Sequence, residues 1–397
     1  MALKGDQSTT RALNRRLVLN LLRREGGLSR NVIASRTGLS NAAITGVVAE
    51  LMEEGFVKEG ESGQSSGGRR PTPLDIDYGA RFSIGLKLME DRLEAVLTDL
   101  STEPIATHTV ALSELVPERV AEAAQSAVEL LLPDPAVRRA KLIGIGLAMP
   151  GLIDSDRGIC LISHRFGWQN VPIACLLAAR IQVPVWVDND VNAFAIAQQL
   201  FGHARHRNSA LVLIIGTGVG AALIFNGQIH RGARFAAGEV GFAVDSAALG
   251  APRENRLSWG SRFSEPAMVK AWADIQASHP TREPVNLQQA AADGDPRAIT
   301  YLGQTGHEIG LRLVTMIDLV DPEVVIVGGE AIRFGPALVD PLVAAVQEYC
   351  FETPPPVEVD WANDVWSRGA SALAIQQFFD FESIGGVRPE GEPEPTS

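Results

Sequence analysis

Residues 28–71 read LSRNVIASRTGLSNAAITGVVAELMEEGFVKEGESGQSSGGRRP, two short helical patterns about a glycine turn followed by a hairpin pattern tipped with glycine and arginine. Ser29 suits the N-cap of a short helix in which Val32, Ile33 and Ala34 face inward. Gly38 supplies a positive-φ turn, and Ser40 caps a following helix. The buried stripe of that helix is Ile44, Val47, Val48, Leu51 and Met52, and Gly55 suits its left-handed C-terminal cap. Upstream, Leu13, Leu17 and Leu21, with Val18 and Leu22, give a preceding helix one apolar face. Phe56, Val57, Leu74 and Ile76 pair as the strands of a wing with its tip at 59–68.

This is the pattern of a winged helix-turn-helix. Asn41, Ala42, Thr45 and Ala49 lie opposite the buried stripe and are small or polar, as a helix entering a major groove requires. Ser40 and Arg30 join Asn41, Ala42 and Thr45 as candidate DNA contacts. Arg69 and Arg70, on a glycine stem, can reach a minor groove. The competing readings are an ordinary three-helix bundle and a solvated arginine linker. Charge favours DNA: residues 1–70 carry 11 Lys and Arg against 7 Asp and Glu, a net of +4 in a chain whose total is −12.

The rest of the 397 residues differ in texture. A chain this long suggests two to four domains, and 46% hydrophobic residues are enough to bury substantial cores. No apolar run approaches the ~20 residues of a membrane span, and the N-terminus does not resemble a secretory signal. Cys160, Cys175 and Cys350 lack paired spacing, so a reduced, cytoplasmic setting is expected. The stretch from Glu382 is rich in Gly, Pro and Glu and reads as a disordered tail, assigned to 381–397.

Strand-like runs at 82–86, 93–99, 142–148, 183–187, 210–215, 221–225 and 324–327 alternate with helical patterns at 118–132, 173–180, 192–202, 266–277, 296–319 and 336–349. Such alternation implies α/β lobes with largely buried sheets. Four segments carry chemistry. Val185–Asn192 runs a buried strand into Asp188, Asn189 and Asp190, which the carboxyl end of such a strand turns toward a ligand. Asp190 can accept a sugar hydroxyl's hydrogen bond or take its proton; alternatively one of the two aspartates caps the next helix. Ile215–Gly220 is a GTGVG loop whose backbone can approach phosphate, or a plain glycine-rich hairpin. Glu239 sits among small residues in AGEVGF, and Gly328-Gly329-Glu330 ends a strand like a nucleotide-edge turn.

Taken in order, these segments resemble the ROK family (repressor, open reading frame, kinase) over about residues 11–380. The Gly-Leu-Ser turn at 38–40 and Gly-Gly-Arg-Arg-Pro at 67–71 are similar to its repressor branch. The resemblance implies a winged helix-turn-helix at 1–78 and a two-lobed, actin-like (ribonuclease H-like) sugar-kinase-type α/β body at 79–380. The lobes, at about 79–190 and 191–380, would flank a cleft. It places Asn189, Asp190, Glu239 and Glu265 where members hold sugar hydroxyls, with Asp190 at the position of the kinases' catalytic base. Met149-Pro150-Gly151 and Phe166-Gly167-Trp168 match the walls of that cleft.

Departures from the family are as telling. Kinase members open the body with Asp-x-Gly-Gly-Thr, whereas this chain has Lys87, Met89 and Glu90 in place of the aspartate and the two glycines. Side chains then fill the phosphate space, Glu90 and Asp91 add repulsion, and phosphoryl transfer loses its positioning. No catalytic residue is therefore expected, Asp190 being a vestige of the base, and no cofactor. Phe242 stands at a zinc-ligand histidine position and no cysteine lies between Gly241 and Glu265, so no metal is expected. Arg165, beside His164, replaces an asparagine that touches sugar. It either accommodates an acidic, phosphorylated or larger sugar or pairs with an acid of its own chain.

The expectation is a transcriptional regulator, a repressor of carbohydrate-metabolism genes. Its partners would be a pseudo-palindromic operator and a sugar effector held by Arg165, Asn189, Asp190, Glu239 and Glu265, in a homodimer or homotetramer with no membrane association. The alternative is an ATP-dependent sugar kinase carrying a DNA-binding head.

Overall fold

The computed structural model describes residues 7–60, 72–244, 257–278, 284–361 and 365–379. Arg69, Arg70 and the 381–397 tail lie outside them. The chain divides into two compact units, Met1–Leu200 with Trp366–Ser397, and Phe201–Val365.

The first unit begins with α1 (Gln7–Glu25), α2 (Arg30–Thr37), α3 (Asn41–Glu53), β1 (Val57–Glu59) and β2 (Leu74–Ile76). Gly38 ends α2 at φ +73°, a conformation that a Cβ resists. The Ser40 hydroxyl accepts the Ala43 amide hydrogen at 3.2 Å, starting α3. Ser29 occupies the N-cap of α2 without a side-chain hydrogen bond. β1 and β2 pair antiparallel, Val57 opposite Ile76, and Leu28 bridges to Leu74 on the far edge. Ile33, Ile44, Val48, Leu51, Leu74 and Ile76 are buried, and each contributes about 1.5–3 kcal/mol.

The face expected of α1 is rotated. Val18, Leu19 and Leu22 are buried, whereas Leu13 and Leu17 are 52% and 40% exposed. Val32 of α2 also faces solvent. The spacing of Leu13, Leu17 and Leu21 predicts one apolar face for α1. Its C-terminal half meets further elements of the unit, described below, which turns Leu19 and Arg23 inward. Salt links also bind α1 to α3: Arg11 meets Glu50 at 2.8 Å, and Arg15 meets Glu54 at 2.7 Å. The Arg15 guanidinium holds the Glu54 carboxyl below its usual range.

The body follows with β3 (Phe82–Leu88), β4 (Arg92–Asp99), β5 (Pro104–Ala111), α4 (Pro117–Leu131), α5 (Pro135–Lys141), β6 (Leu142–Met149), β7 (Leu152–Asp154), β8 (Ile159–Ser163), β9 (Trp168–Val171), α6 (Ile173–Ile181), β10 (Val185–Asn189) and α7 (Asp190–Phe201). The second unit holds β11 (Ala210–Ile215), β12 (Val219–Phe225), β13 (Gln228–Ile229), α8 (Trp259–Phe263), α9 (Glu265–Ala277), α10 (Leu287–Ala292), α11 (Pro296–Val320), β14 (Val325–Gly328), α12 (Pro336–Tyr349) and β15 (Val357–Val359). α13 (Val365–Phe379) then returns to the first.

The two units share one sheet topology. The first has the order β10-β6-β3-β4-β5 and the second β13-β12-β11-β14-β15. Each opens with an antiparallel three-strand meander, then adds two parallel strands beside its first strand. Ile84, Leu86, Ile145, Leu147, Val185 and Val187 anchor one core, and Leu211, Leu213, Val325, Val327, Leu338 and Leu342 the other.

The division falls later than the expected 190/191 boundary. α7 continues directly from β10 and stays with the first sheet, and α13 packs back onto β6. At that contact Gly146 admits the Ala370 backbone so closely that a Cβ would collide with it. The Thr98 and Ser371 hydroxyls are hydrogen-bonded beneath the helix, and the Ser83 hydroxyl donates to the Ser371 carbonyl at 3.2 Å.

Candidate DNA-binding and effector sites

On the head, Asn41, Ala42 and Thr45 are exposed on the first turns of α3, and Thr45 spends its hydroxyl proton on the Asn41 carbonyl at 2.8 Å. Ser40 is committed to capping. Arg30 opens α2, its guanidinium 3.8 Å from Glu59 and 3.7 Å from the Met52 sulfur, which tethers it near β1. Arg11 and Arg15 are neutralised by Glu50 and Glu54. Arg36 and Lys58 likewise pair with Glu25 and Asp77, at 3.6 and 3.2 Å, so the positive charge available to phosphate is smaller than the count suggests.

In the first unit, β10 delivers Asp188, Asn189 and Asp190 to the start of α7. Asp188 is fully buried and accepts from the Asn189 amide at 2.7 Å and the Asn192 side chain at 3.0 Å, so it is the structural member of the pair. Asn189 donates to the Gly151 carbonyl at 3.1 Å and accepts the Val191 amide hydrogen at 2.8 Å. This joins β10 to the Met149-Pro150-Gly151 turn. Asp190 is ion-paired with Lys87 from β3, the two side chains being 16% and 8% exposed. The Lys87 ammonium also sits 4.4 Å from the centre of the Trp366 ring.

Arg165 meets Glu90 of the β3–β4 turn at 3.0 Å. Of the two roles open to Arg165, the structure contains the pair with its own chain. Phe166 and Trp168 are buried in the first unit's core, and the Trp168 indole donates to the Leu115 carbonyl at 2.6 Å. Their large apolar rings meet edge to face, with centroids 5.6 Å apart.

In the second unit, Glu239 begins a short 3-10 turn after Gly238, whose carbonyl accepts the Ala221 amide hydrogen of β12 at 2.8 Å. Glu265 begins α9, donates its backbone N–H to the Gly216 carbonyl at 2.8 Å, and pairs its side chain with Arg333. Glu330 lies against the GTGVG loop: a Cβ on Gly216 would strike its carboxylate. A nucleotide phosphate brought to this loop would meet that negative charge.

Sequence reasoning named Lys87 as a lost phosphate ligand but missed its pairing with Asp190, since their 103-residue separation leaves no local signal. It also missed Trp366 and Arg23. A tryptophan and an arginine on helical patterns read as surface or core until the fold brings them to their partners.

Residues 83–377 match the ROK family, and residues 11–58 match the winged helix-turn-helix DNA-binding family. The chain belongs to the ROK family and carries an N-terminal winged helix-turn-helix. It is 27% identical over 370 residues to the xylose repressor of Caldicellulosiruptor bescii, covering 87% of this chain and 90% of that one. Among solved structures, a ROK family transcriptional regulator described as a homolog of the Escherichia coli Mlc protein superposes with a TM-score of 0.78. It has 24% identity, over 94% of this chain and 97% of that one. A ROK family glucokinase from Streptomyces griseus, solved with glucose and AMPPNP, superposes with a TM-score of 0.63 at 22% identity, over 74% of this chain and all but 1% of its own length (99%). These two likenesses establish the fold. No helix among the described residues is long and apolar enough to cross a membrane.

Proposed function

We propose that this chain is a transcriptional repressor of carbohydrate-metabolism genes. Its head, used in a homodimer or homotetramer, binds a pseudo-palindromic operator. Its body binds a sugar or sugar derivative in place of performing chemistry on one. The observation that carries this reading is the Lys87–Asp190 pair in the body of a chain whose head presents an exposed, small-residue α3 face. A carboxylate neutralised by an ammonium is poorly placed to deprotonate a sugar hydroxyl, yet both groups still offer hydrogen bonds to one.

On this reading Asn41, Ala42 and Thr45 read bases, Arg30 and Ser40 contact the backbone, and Arg69 and Arg70 belong to the wing. The carbohydrate-contacting candidates are Arg165, Asn189 and Asp190 in the first unit and Glu239 and Glu265 in the second. The named repressor relative supports this assignment. A gel-shift titration at fixed salt tests it. Tighter binding to the gene's own upstream DNA than to random duplex, weakened or strengthened by one member of a sugar panel, is expected. Equal binding to both DNAs would refute it.

The second reading is a sugar kinase with a DNA-binding head, favoured only by the surviving GTGVG loop. Sugar-dependent ADP release that disappears in Asp190→Ala would establish it.

A further inference from the structure

Arg23 is fully buried, an expensive position for a guanidinium unless its hydrogen bonds are met. It donates to the Leu200 carbonyl and to the Asn20 side-chain oxygen at 3.4 Å, and lies 5.7 Å from the centre of the Phe379 ring. Asn20 in turn donates to the Phe379 carbonyl at 2.7 Å. Leu200 is the penultimate residue of α7 and Phe379 the last of α13. One polar patch on α1 of the head thus satisfies the open carbonyls at the C-termini of two body helices, where a cation is also favoured by the helix dipole. Phe378 adds an edge-on contact with Phe56, the residue leading into β1, at 4.8 Å.

Both helices begin at the candidate effector site. Asp190 opens α7, and Trp366 lies in the first turn of α13 beneath the Lys87 ammonium. The two are packed together there. The Phe194 and Trp366 rings are 6.4 Å apart, and Gly369 brings the α13 backbone against that of Ala193 and Phe194, so closely that a Cβ would stand about 3.0 Å from the Phe194 nitrogen. Helices of these lengths span roughly 15 and 20 Å from the Lys87 cluster to α1 as stiff rods.

We propose that Asn20 and Arg23 are positioning residues that couple the Lys87–Asp190–Trp366 cluster to the DNA-binding head, with α7 and α13 as the levers between them. The inference rests on the effector reading of Asp190 given above. A ligand that donates hydrogen bonds to Asp190 competes with Lys87 and releases the ammonium from between the carboxylate and the indole. The starts of α7 and α13 then lose their common partner and shift relative to each other. Their ends carry α1, so the head is reoriented. The ligand acts through its different affinity for the paired and unpaired states.

The test is a double-mutant cycle in the full-length protein, read as affinity for a duplex that the wild type selects from a random-sequence pool. Lys87→Met opens the pair without any ligand, and is expected to change DNA affinity by about tenfold. In an Asn20→Ala background the same substitution is expected to change it by less than about threefold. A shift of equal size in both backgrounds overturns the coupling and leaves the repressor reading standing. No shift from Lys87→Met also overturns it. A wild type that selects no duplex overturns both. Thermal unfolding of each variant separates coupling from a structural role, because a simple staple lowers the melting temperature without altering the Lys87→Met effect. Asn20→Ala is used because Arg23 variants leave a buried void; Arg23→Lys, which keeps the charge but not the forked donors, is expected to weaken the coupling in the same direction.

Discussion

The Lys87 ammonium is ion-paired with the Asp190 carboxylate across strand β3 and the start of helix α7, and the Trp366 ring packs against the same ammonium. The ammonium is thereby held between a carboxylate and an aromatic face in a largely buried setting.

That pair sets a stability prediction. Lys87→Met leaves Asp190 charged and largely buried, and is expected to cost about 3 kcal/mol in urea unfolding. Adding Asp190→Leu removes the stranded charge and is expected to recover most of the loss. A double variant as unstable as the single one would show that the pair is not what the single substitution disturbs.

Restoring the acidic residue is not expected to restore chemistry. Lys87→Asp should show no sugar-dependent ADP release in a coupled assay, as should the wild type. Met89 and Glu90 still occupy the first phosphate loop, and the Glu330 carboxylate still lies against Gly216 in the second. Turnover in Lys87→Asp alone would mean that one residue accounts for the loss.

The head was legible because its signals are local. Gly38, Ser40 and the spacing from Ile44 to Leu51 each act within one or two turns, and the structure places them as read. The alternation of strands and helices was equally legible, because period-2 and period-3.6 patterns need no knowledge of partners. What escaped depends on distant contacts. Leu13 and Leu17 had the spacing of a buried face, but α1 turns Leu19 and Arg23 toward α7 and α13 instead. The exposed β5 and the short β7, β8 and β9 lack the continuous apolar runs that marked the central strands. In the candidate effector site the acidic residues were visible, but their cationic partners Lys87 and Arg333 were not. Ion pairs between remote segments leave no periodicity.

Gly146→Ala offers a test of how α13 is seated. A methyl group there meets the Ala370 backbone, which cannot move as a side-chain tip can. Overpacking of this kind costs about 1–3 kcal/mol, and the helix should lift from β6. Hydrogen exchange is expected to rise along 366–379 and in the C-terminal half of α1, which α13 supports. Exchange unchanged in α1 would separate the two.

The acid limb of stability should carry a contribution from α11. Asp295 caps that helix, accepting from the Arg297 backbone at 2.9 Å and its guanidinium at 2.8 Å, and the Arg297 contacts hold its carboxyl down at about 2. A depressed carboxyl stabilises the fold above its unfolded pKa near 4, and the benefit fades as pH falls toward 2. Asp295→Asn keeps a capping oxygen but removes the charge, so it should cost about 0.5 kcal/mol at pH 7 and progressively less between pH 4 and pH 2. A pH-independent difference would assign the effect to capping geometry alone.

The head's contacts should separate by their salt dependence. Arg30, beside Met52 in the last turn of α3, and Lys58 on β1 carry charge, whereas Asn41 and Thr45 present neutral polar groups on α3 itself. If Arg30 meets a phosphate, Arg30→Ala weakens binding to operator and random duplex alike, and lowers the slope of log affinity against log salt by about one. Asn41→Ala should instead leave that slope intact while costing about 1–3 kcal/mol on the preferred sequence alone. Thr45→Val keeps the shape of the side chain but removes the hydroxyl now bonded to the Asn41 carbonyl, so it reports whether Thr45 reads a base or only closes a helical turn. Equal loss on both duplexes from Asn41→Ala would move α3 from base reading to backbone contact.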